Sequence, residues 1–597
     1  MSIQSIRLES CKFYLKRYSY LLICISFAVM FLLSLGKWPD PLVDFGRELY
    51  VPWAMTEGKK LYTDIFYFNG PLSPYWNKLL FDIFGVSLST LVFANLGILA
   101  ALTALIWFVL KEATSVGAAV CGCIIFILMF AFSQYVGIGN YNYVTPYSHE
   151  VTHGMLLSWI MLACVGKILS GGGKIWNALA GFSLGMIFLT KPEFFLASSL
   201  GMMAFSVVAY RIYGREYTLR TVLITFCACL GPIILAYIFL NVSISFEAAL
   251  KGLLGSWYYV AANAELKKLL FYKNIMGISN IQHSVGRIFI ASLVYVAVFV
   301  FPFIASLRTV NWTIKISTTT FPIIILCYLI FFKPDLLTSE FAKPLPVFML
   351  IIGSWALFIA YRDKATKHCL IFVLTIFSFT LLLKIILNVR IYHYGFILAM
   401  PAIMVSVVSI VYFIPKALRY LNGDPRPFLT TALIIMLLIT FWHLNISAFF
   451  YEKKNVIVGN GRDVFLADWR GNYVNATVNW LKKNTTEETT LLVLPEGIMI
   501  NYLARRFNAT PIVNLMPPEV IMLNGEKNIL KMLEEEPPNY VILIHKDTSE
   551  YGYKYFGKDF GRQILEWIKL AYEPVLLYGS LPFHDERFGV MIMKYKK

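Results

Sequence analysis

Runs of about twenty apolar residues recur from near the start of the chain to about residue 445, and their basic flanks alternate, which leaves few folds open to it. A hydrocarbon layer of about 30 Å takes about 20 apolar residues to cross as a helix, and each spanning segment must bond its own backbone. Thirteen such runs are centred near residues 28, 100, 127, 159, 183, 203, 230, 297, 323, 353, 378, 404 and 437. Lys and Arg gather in every second connection: Arg7, Lys12, Lys16 and Arg17; Lys111; Lys167 and Lys174; Arg211, Arg215 and Arg220; Arg308 and Lys315; Arg362, Lys364 and Lys367; Lys416, Arg419 and Arg426. The positive-inside rule makes those connections cytoplasmic. The alternate set, residues 37–87, 139–150, 190–194, 241–285, 333–345 and 384–393, is longer and richer in acids and aromatics, and is predicted to face away from the cytoplasm. The first run, Tyr20 to Gly36, leads into Lys37-Trp38-Pro39-Asp40 rather than a small-residue cleavage site, so it reads as a retained helix with a cytoplasmic N-terminus.

Composition agrees. Hydrophobic residues make up 58% and charged ones 15%, where a soluble domain carries about 25% charged residues. The net charge of +17 reads as helix anchoring rather than nucleic-acid binding. Seven of the nine cysteines lie in apolar runs, Cys11 and Cys369 flank such runs, and none follows residue 369, so no disulfide framework is implied.

After residue 445 the composition becomes that of a globular domain. Residues 1–445 are therefore read as the membrane domain and 446–597 as an extracytoplasmic α/β domain. Strands are predicted at Thr490–Leu494, Tyr540–Ile544, Pro574–Tyr578 and Phe588–Met593, and helices at Gly497–Arg506, Lys527–Glu535 and Gly561–Ala571. This domain has no Gly-rich phosphate loop, nucleophile elbow or metal cluster, and reads as accessory or acceptor-facing. Within the membrane domain, loops 37–87 and 241–285 carry amphipathic stretches at Leu49–Ala54 and Ala248–Leu270. With Trp38, Trp53, Trp76, Trp257, Tyr258 and Tyr259 they are predicted to lie in the membrane interface.

Charged residues at a membrane edge are costly and tend to be functional or paired. Asp44, a few residues beyond the first helix, is placed either to take a proton from an acceptor hydroxyl as a general base or to cap the helix that follows. Around it, Asp44, Arg47-Glu48, Met55, Gly58, then Tyr67-Phe68-Asn69-Gly70-Pro71-Leu72-Ser73-Pro74-Tyr75-Trp76 and Phe84-Gly85 resemble the first external loop of GT-C glycosyltransferases, in particular the lipid A aminoarabinose transferases and protein O-mannosyltransferases. The resemblance implies about thirteen helices with an external C-terminal domain, a polyprenyl-phosphate sugar donor, and Asp44 as catalytic base. It departs from the aminoarabinose transferases in Asp44-Phe45-Gly46-Arg47, where they resemble Asp-Glu-x-Arg, and in Asn69-Gly70-Pro71-Leu72, where they resemble Lys-Pro-Pro-Leu. The specific match covers about fifty residues, the topology the whole chain.

A departing lipid phosphate needs preplaced cations. Lys191 in Thr190-Lys191-Pro192-Glu193 is one candidate, with pairing to Glu193 as its structural alternative; Arg390 and His393 are others. Arg47, Glu48, Tyr67 and Asn69 complete the candidate donor site. A competing signal is His149-Glu150-Val151-Thr152-His153, which fits the H-E-x-x-H zinc-protease pattern. Its third ligand would have to come from a residue such as Asp335 or Glu340; otherwise His149, Glu150 and His153 line the sugar or phosphate cavity. The preceding Asn140-Tyr141-Asn142-Tyr143-Val144-Thr145-Pro146-Tyr147 suits carbohydrate and interface alike.

The sequence therefore predicts an integral membrane glycosyltransferase of a bacterial inner membrane, inverting in outcome. It would take a polyprenyl-phosphate sugar to a glycan, lipid or protein acceptor among membrane lipids, with no required cofactor and with a divalent cation compatible but not demanded. A lipid or sugar transporter or flippase, which would place its polar residues along a path through the bilayer, and the zinc protease are the alternatives.

Overall fold

The computed structural model describes residues 3–139, 141–307 and 311–596. Asn140 and Arg308 lie outside the described residues, as do the side chains of Arg7, Cys11, Lys12, Lys16 and Arg17. The membrane domain opens with α1 (Ile3–Ser34), two loop helices α2 (Phe45–Thr56) and α3 (Leu72–Phe84), and α4 (Leu88–Ala113). It continues through α5 (Val116–Phe126), which runs into a wide turn at Ile127–Ala131, then α6 (His149–Leu169), α7 (Lys174–Phe188), α8 (Pro192–Tyr213) and α9 (Arg215–Ser243). Four short helices, α10 (Phe246–Leu254), α11 (Ser256–Ala262), α12 (Ala264–Lys268) and α13 (Leu270–Met276), fill the second long loop. Then follow α14 (Ile281–Ala305), α15 (Trp312–Phe332), α16 (Pro334–Glu340), α17 (Leu345–Asp363), α18 (Thr366–Leu382), α19 (Met400–Val408), α20 (Ile414–Tyr420) and α21 (Arg426–Glu452).

Every predicted apolar run falls on helix. Among the described residues ten helical stretches are long and apolar enough to cross a membrane, and Tyr18–Ser34 and Val116–Ala131 are shorter apolar helices. The remaining run is α7, of 15 residues. Its sequence explains how so short a helix is held: a Cβ at Gly181 would lie 2.2 Å from the carbonyl oxygen of Thr225, and one at Gly185 2.2 Å from that of Cys229. Two glycines four apart thus let α7 and α9 touch backbone to backbone, the contact that substitutes for hydrophobic burial inside lipid.

The two sets of connections segregate. Loop 37–87 bonds loop 139–150 through Gly139 N to Asp40 (3.1 Å) and Arg47 to Tyr147 O (2.7 Å). It meets the α7–α8 turn through Gly70 N to Thr190 O (3.0 Å), and the second long loop through Ser256 to Phe68 O (2.8 Å). The second long loop in turn bonds the 384–393 segment, Leu387 N to Met276 O at 3.1 Å, and that segment bonds the 333–345 loop, Ile391 N to Thr338 O at 3.3 Å. The predicted basic connections also meet one another, as in Asp424 N to Ser306 O (2.8 Å) and Arg211 over the Tyr361 ring (5.3 Å).

Beyond α21 come a hairpin, β1 (Val456–Val458) with β2 (Phe465–Ala467), then α22 (Arg470–Asn484), β3 (Leu491–Leu494), α23 (Met499–Ala504), α24 (Pro517–Met522) and α25 (Glu526–Glu535). The chain ends through β4 (Tyr540–Ile544), α26 (Arg562–Ala571), β5 (Tyr572–Gly579) and β6 (Gly589–Tyr595). The sheet order is β3-β4-β6-β5, with β3 parallel to β4 and the other pairs antiparallel. β3 is buried throughout and β4 nearly so, which is why both read as unbroken apolar runs.

One interface expectation is corrected. Trp38 and Trp53 are buried at 3% and 5% exposure; Trp53 stacks on Phe507 of the C-terminal domain, ring centroids 4.6 Å apart. The stretch 248–270 is broken into short helices; Gly255, at φ 50°, approaches the Asn69–Gly70 backbone and turns the chain between α10 and α11.

Candidate active site

Asp40 builds the turn that carries Asp44. Its carboxylate accepts from Leu42 N (3.0 Å) and Val43 N (2.9 Å), the short-range bonding that makes Asp a turn former, and from Gly139 N (3.1 Å). Arg470 of α22 closes on the same carboxylate at 2.7 Å while also bonding Asp468 at 2.6 Å. Burial alone would raise the Asp40 pKa, but Arg470 and the two backbone N–H bonds hold it below the usual carboxylate range. Lys454 ties the same stretch from the other side, donating to Lys37 O (2.7 Å) and Pro39 O (3.0 Å).

Asp44 follows with φ 63° and ψ −76°, a conformation that costs a non-glycine residue roughly 1–3 kcal/mol and that concentrates at functional sites. It precedes α2, yet its side chain makes no capping bond to that helix, so the capping alternative is not what the turn is used for. The residue is half-buried, but protein surrounds it. Burial, then the negative charge of Glu496, push its pKa up to about 7 against the opposing pull of Arg47 and Lys546.

One turn into α2, Arg47 and Glu48 pair at 2.9 Å. Glu48 also receives the backbone N–H of His149 (3.0 Å) and contacts its Nδ1 at 2.7 Å, so it caps α6. Arg47 and the His149 bonds outweigh burial and lower the Glu48 pKa to about 2. Tyr67 and Ser148 both donate to Glu150 through short hydrogen bonds. Burial and the Glu150 charge raise the Tyr67 pKa well above its ordinary value.

Among the described residues His149-Glu150-Val151-Thr152-His153 does not take up a metalloprotease geometry. Both ring nitrogens of His149 are engaged, Nδ1 by Glu48 and by Asn77 (3.1 Å), and Nε2 by Asn95 (2.9 Å). His153 Nδ1 contacts Ser73 Oγ at 2.9 Å, and its buried Nε2 has no hydrogen-bond partner. Of the eligible third ligands, Glu340 pairs with Arg287, and Asp335 sits on an exposed stretch of α16. Among the described residues no three His, Cys, Asp or Glu side chains converge on a point.

The remaining candidates divide. Lys191 stands 5.0 Å over the ring of Tyr147, whose carbonyl holds Arg47, so the two cations share one neighbour. Burial draws the Lys191 pKa down to about 8, with Glu193 opposing. The hydrogen-bonded partner of Glu193 is Lys384, at 2.8 Å, instead of Lys191. Asn69 is buried and joins the two long loops through Ser256 (3.0 Å). Arg390 is exposed, and His393 is buried with Nδ1 accepting from Gly395 N (3.0 Å); their segment is anchored to Thr338 and Met276 rather than to the Asp44 turn.

Sequence reasoning missed the contribution of the C-terminal domain. Glu496 follows β3, Lys546 follows β4, and the two are joined by a short ion pair in which neither is much exposed. Glu519 of α24 also lies close enough for Arg47 to act on it; burial raises its pKa to about 7, and its buried Oε2 has no hydrogen-bond partner. The signal was present. In Leu491–Gly497 and Tyr540–Lys546 an acid and a base stand just past two unbroken apolar runs, and the carboxyl ends of parallel strands are where such folds place their polar chemistry.

No protein-family profile and no curated protein matches the chain by sequence. Solved structures do match in fold. The apo form of the oligosaccharyltransferase of Archaeoglobus fulgidus aligns at 12% identity and TM-score 0.50, over 94% of this chain and 73% of that one. The same enzyme in complex with Zn and sulfate aligns at 12% and 0.49, over 88% and 68%. ArnT from Cupriavidus metallidurans bound to undecaprenyl phosphate aligns at 11% and 0.45, over 96% and 98%. At 12% identity the likeness to the apo oligosaccharyltransferase is one of fold; in this chain a helical bundle is followed by a small domain built on a sheet.

Proposed function

We propose that this chain is an inverting glycosyltransferase that moves a sugar from a polyprenyl-phosphate donor to a hydroxyl of a glycan, lipid or protein acceptor. The reading places the N-terminus in the cytoplasm and loops 37–87 and 241–285 with residues 446–597 on the outer side of a bacterial inner membrane. The observation that carries it is Asp44: a strained carboxylate that caps no helix, with its proton affinity raised into the neutral range. A base is most effective when its pKa lies near the working pH.

In this mechanism Asp44 takes the proton of the acceptor hydroxyl as that oxygen bonds to the anomeric carbon. The bond from that carbon to the phosphate oxygen breaks, and the lipid phosphate leaves with the electron pair. One displacement inverts the anomeric centre. Arg47 and Lys191, which share Tyr147, are placed for the developing phosphate charge. Glu48, Tyr67, His149 and Glu150 hold that wall by their mutual bonds.

The test is transfer of labelled sugar from a panel of polyprenyl-phosphate sugars into membrane acceptors by wild type, Asp44→Asn and Asp44→Glu, with and without a chelator. Transfer by wild type and its loss by about 10²–10⁴-fold in a folded Asp44→Asn variant is the expected result. Normal transfer by Asp44→Asn removes the base, and wild type that consumes no donor removes the activity. The chelator arm decides the divalent cation.

A further inference from the structure

We propose that the C-terminal domain supplies a positioning residue of the active site: Glu496, delivered by the end of β3 and held by Lys546 from the end of β4, governs proton uptake by Asp44. This rests on the reading of Asp44 as the base.

The geometry begins at two glycines. A Cβ on Gly46 of α2 would lie 2.5 Å from the backbone nitrogen of Met499, the first residue of α23, so the loop helix and the domain helix meet backbone to backbone. Gly497, beside Glu496, faces Leu42 from the other side, at 3.6 Å for an added Cβ. The segment 495–499 is therefore packed on the turn 42–46, with Asp44 in its middle. Glu496 is buried at 6% exposure, and the Lys546 ammonium is its partner.

The charges acting on Asp44 come from three elements. Asp40 shares its turn, Arg47 projects from α2, and Glu496 with Lys546 comes from the sheet of the C-terminal domain; of these, Glu496 has the largest effect. Behind them, Arg470 neutralises Asp40, Glu550 acts on the Glu496–Lys546 pair, and Glu519 lies in the fields of Arg47 and Glu496. A carboxylate beside the base makes it hold its proton more tightly, and the ammonium tempers that effect. A membrane domain alone would lack both groups.

The measurement is the pH dependence of transfer for wild type, Glu496→Gln, Glu496→Asp, Lys546→Met and the doubly neutral Glu496→Gln/Lys546→Met, with folding checked by thermal unfolding of each. The rate rises as Asp44 loses its proton. Glu496→Gln should move that acid limb to lower pH by at least about 0.5 unit, Lys546→Met should move it to higher pH, and Glu496→Asp should restore it. The double variant, which leaves no buried unpaired charge, should lie below wild type, because Glu496 is the stronger of the two influences. A pair that merely held the domain together would lower rates in every variant and leave the limb in place; that outcome overturns the proposal while Asp44→Asn inactivity keeps the base. If Asp44→Asn is active, the base itself is wrong and the proposal falls with it.

Discussion

At the scale of single residues, two side chains set the pH behaviour expected of transfer. In the proposed mechanism Asp44, with its pKa at about 7, acts deprotonated, whereas Lys191, with its pKa at about 8, acts charged. Activity should therefore rise with pH through about 7 and fall above about 8. Lys191→Arg should abolish the alkaline fall, because a guanidinium stays charged there, and Lys191→Met should lower kcat/KM by roughly 10–100-fold across the range. Steady-state profiles of the three proteins check both statements. The same carboxylate predicts a stability effect whose sign follows from linkage. Asp44 binds its proton more tightly folded than unfolded, so its contribution is present at low pH and lost as pH rises through the folded value of about 7. Asp44→Asn should melt at the wild-type temperature near pH 4 and a few degrees higher near pH 8. A lower melting temperature at pH 8 would mean that the carboxylate is a structural anchor instead.

At the scale of elements, close backbone contacts rather than large side chains decide where the helices sit. Gly46→Val should drive α2 from α23, where a Cβ has only 2.5 Å, and cost transfer together with 1–3 kcal/mol or more of stability, roughly the range for overpacking. Gly181→Leu should do the same to α7 against α9, read as loss of monodisperse protein in detergent. These contacts also explain what the sequence revealed and what it hid. Helices α4, α6, α9 and α21 were legible because an apolar run of spanning length has no other use, and β4 matched its run because both of its faces are covered. Helix α22 was not read, since Arg470–Asn484 has only a narrow apolar stripe of Val474, Val478 and Leu481. Trp53 pointed to the interface as an amphipathic ring, but its partner Phe507 lies in the other domain. Asp44, Arg47 and Glu48 were legible from one loop, whereas Glu496 and Lys546 reach that loop only through strand order, which local pattern does not encode.

At the scale of the whole molecule, the long loops share one face with Asp40, Asp44, Glu48, His149 and Glu150, and the C-terminal domain is packed on it. Orientation across the membrane is testable by labelling from outside with an impermeant maleimide in a cysteine-free background. Lys60→Cys in the first long loop should react in intact spheroplasts and Lys364→Cys, in the turn between α17 and α18, only after lysis; both positions are exposed. The reverse pattern would invert the topology and with it the face on which the donor is met. One bond of that packed face also bears on how the protein comes into being. Asp40 and Arg470 are separated by 430 residues, and a ribosome adding about 5–20 residues per second needs on the order of 20–90 s to make the second after the first. Throughout that interval the nascent chain has Asp44 but not the arginine that fastens the turn beneath it. A chain released short of Arg470 would enter the membrane without the clasp, so the turn beneath Asp44 is fastened only once the segment that carries Arg470 has been made.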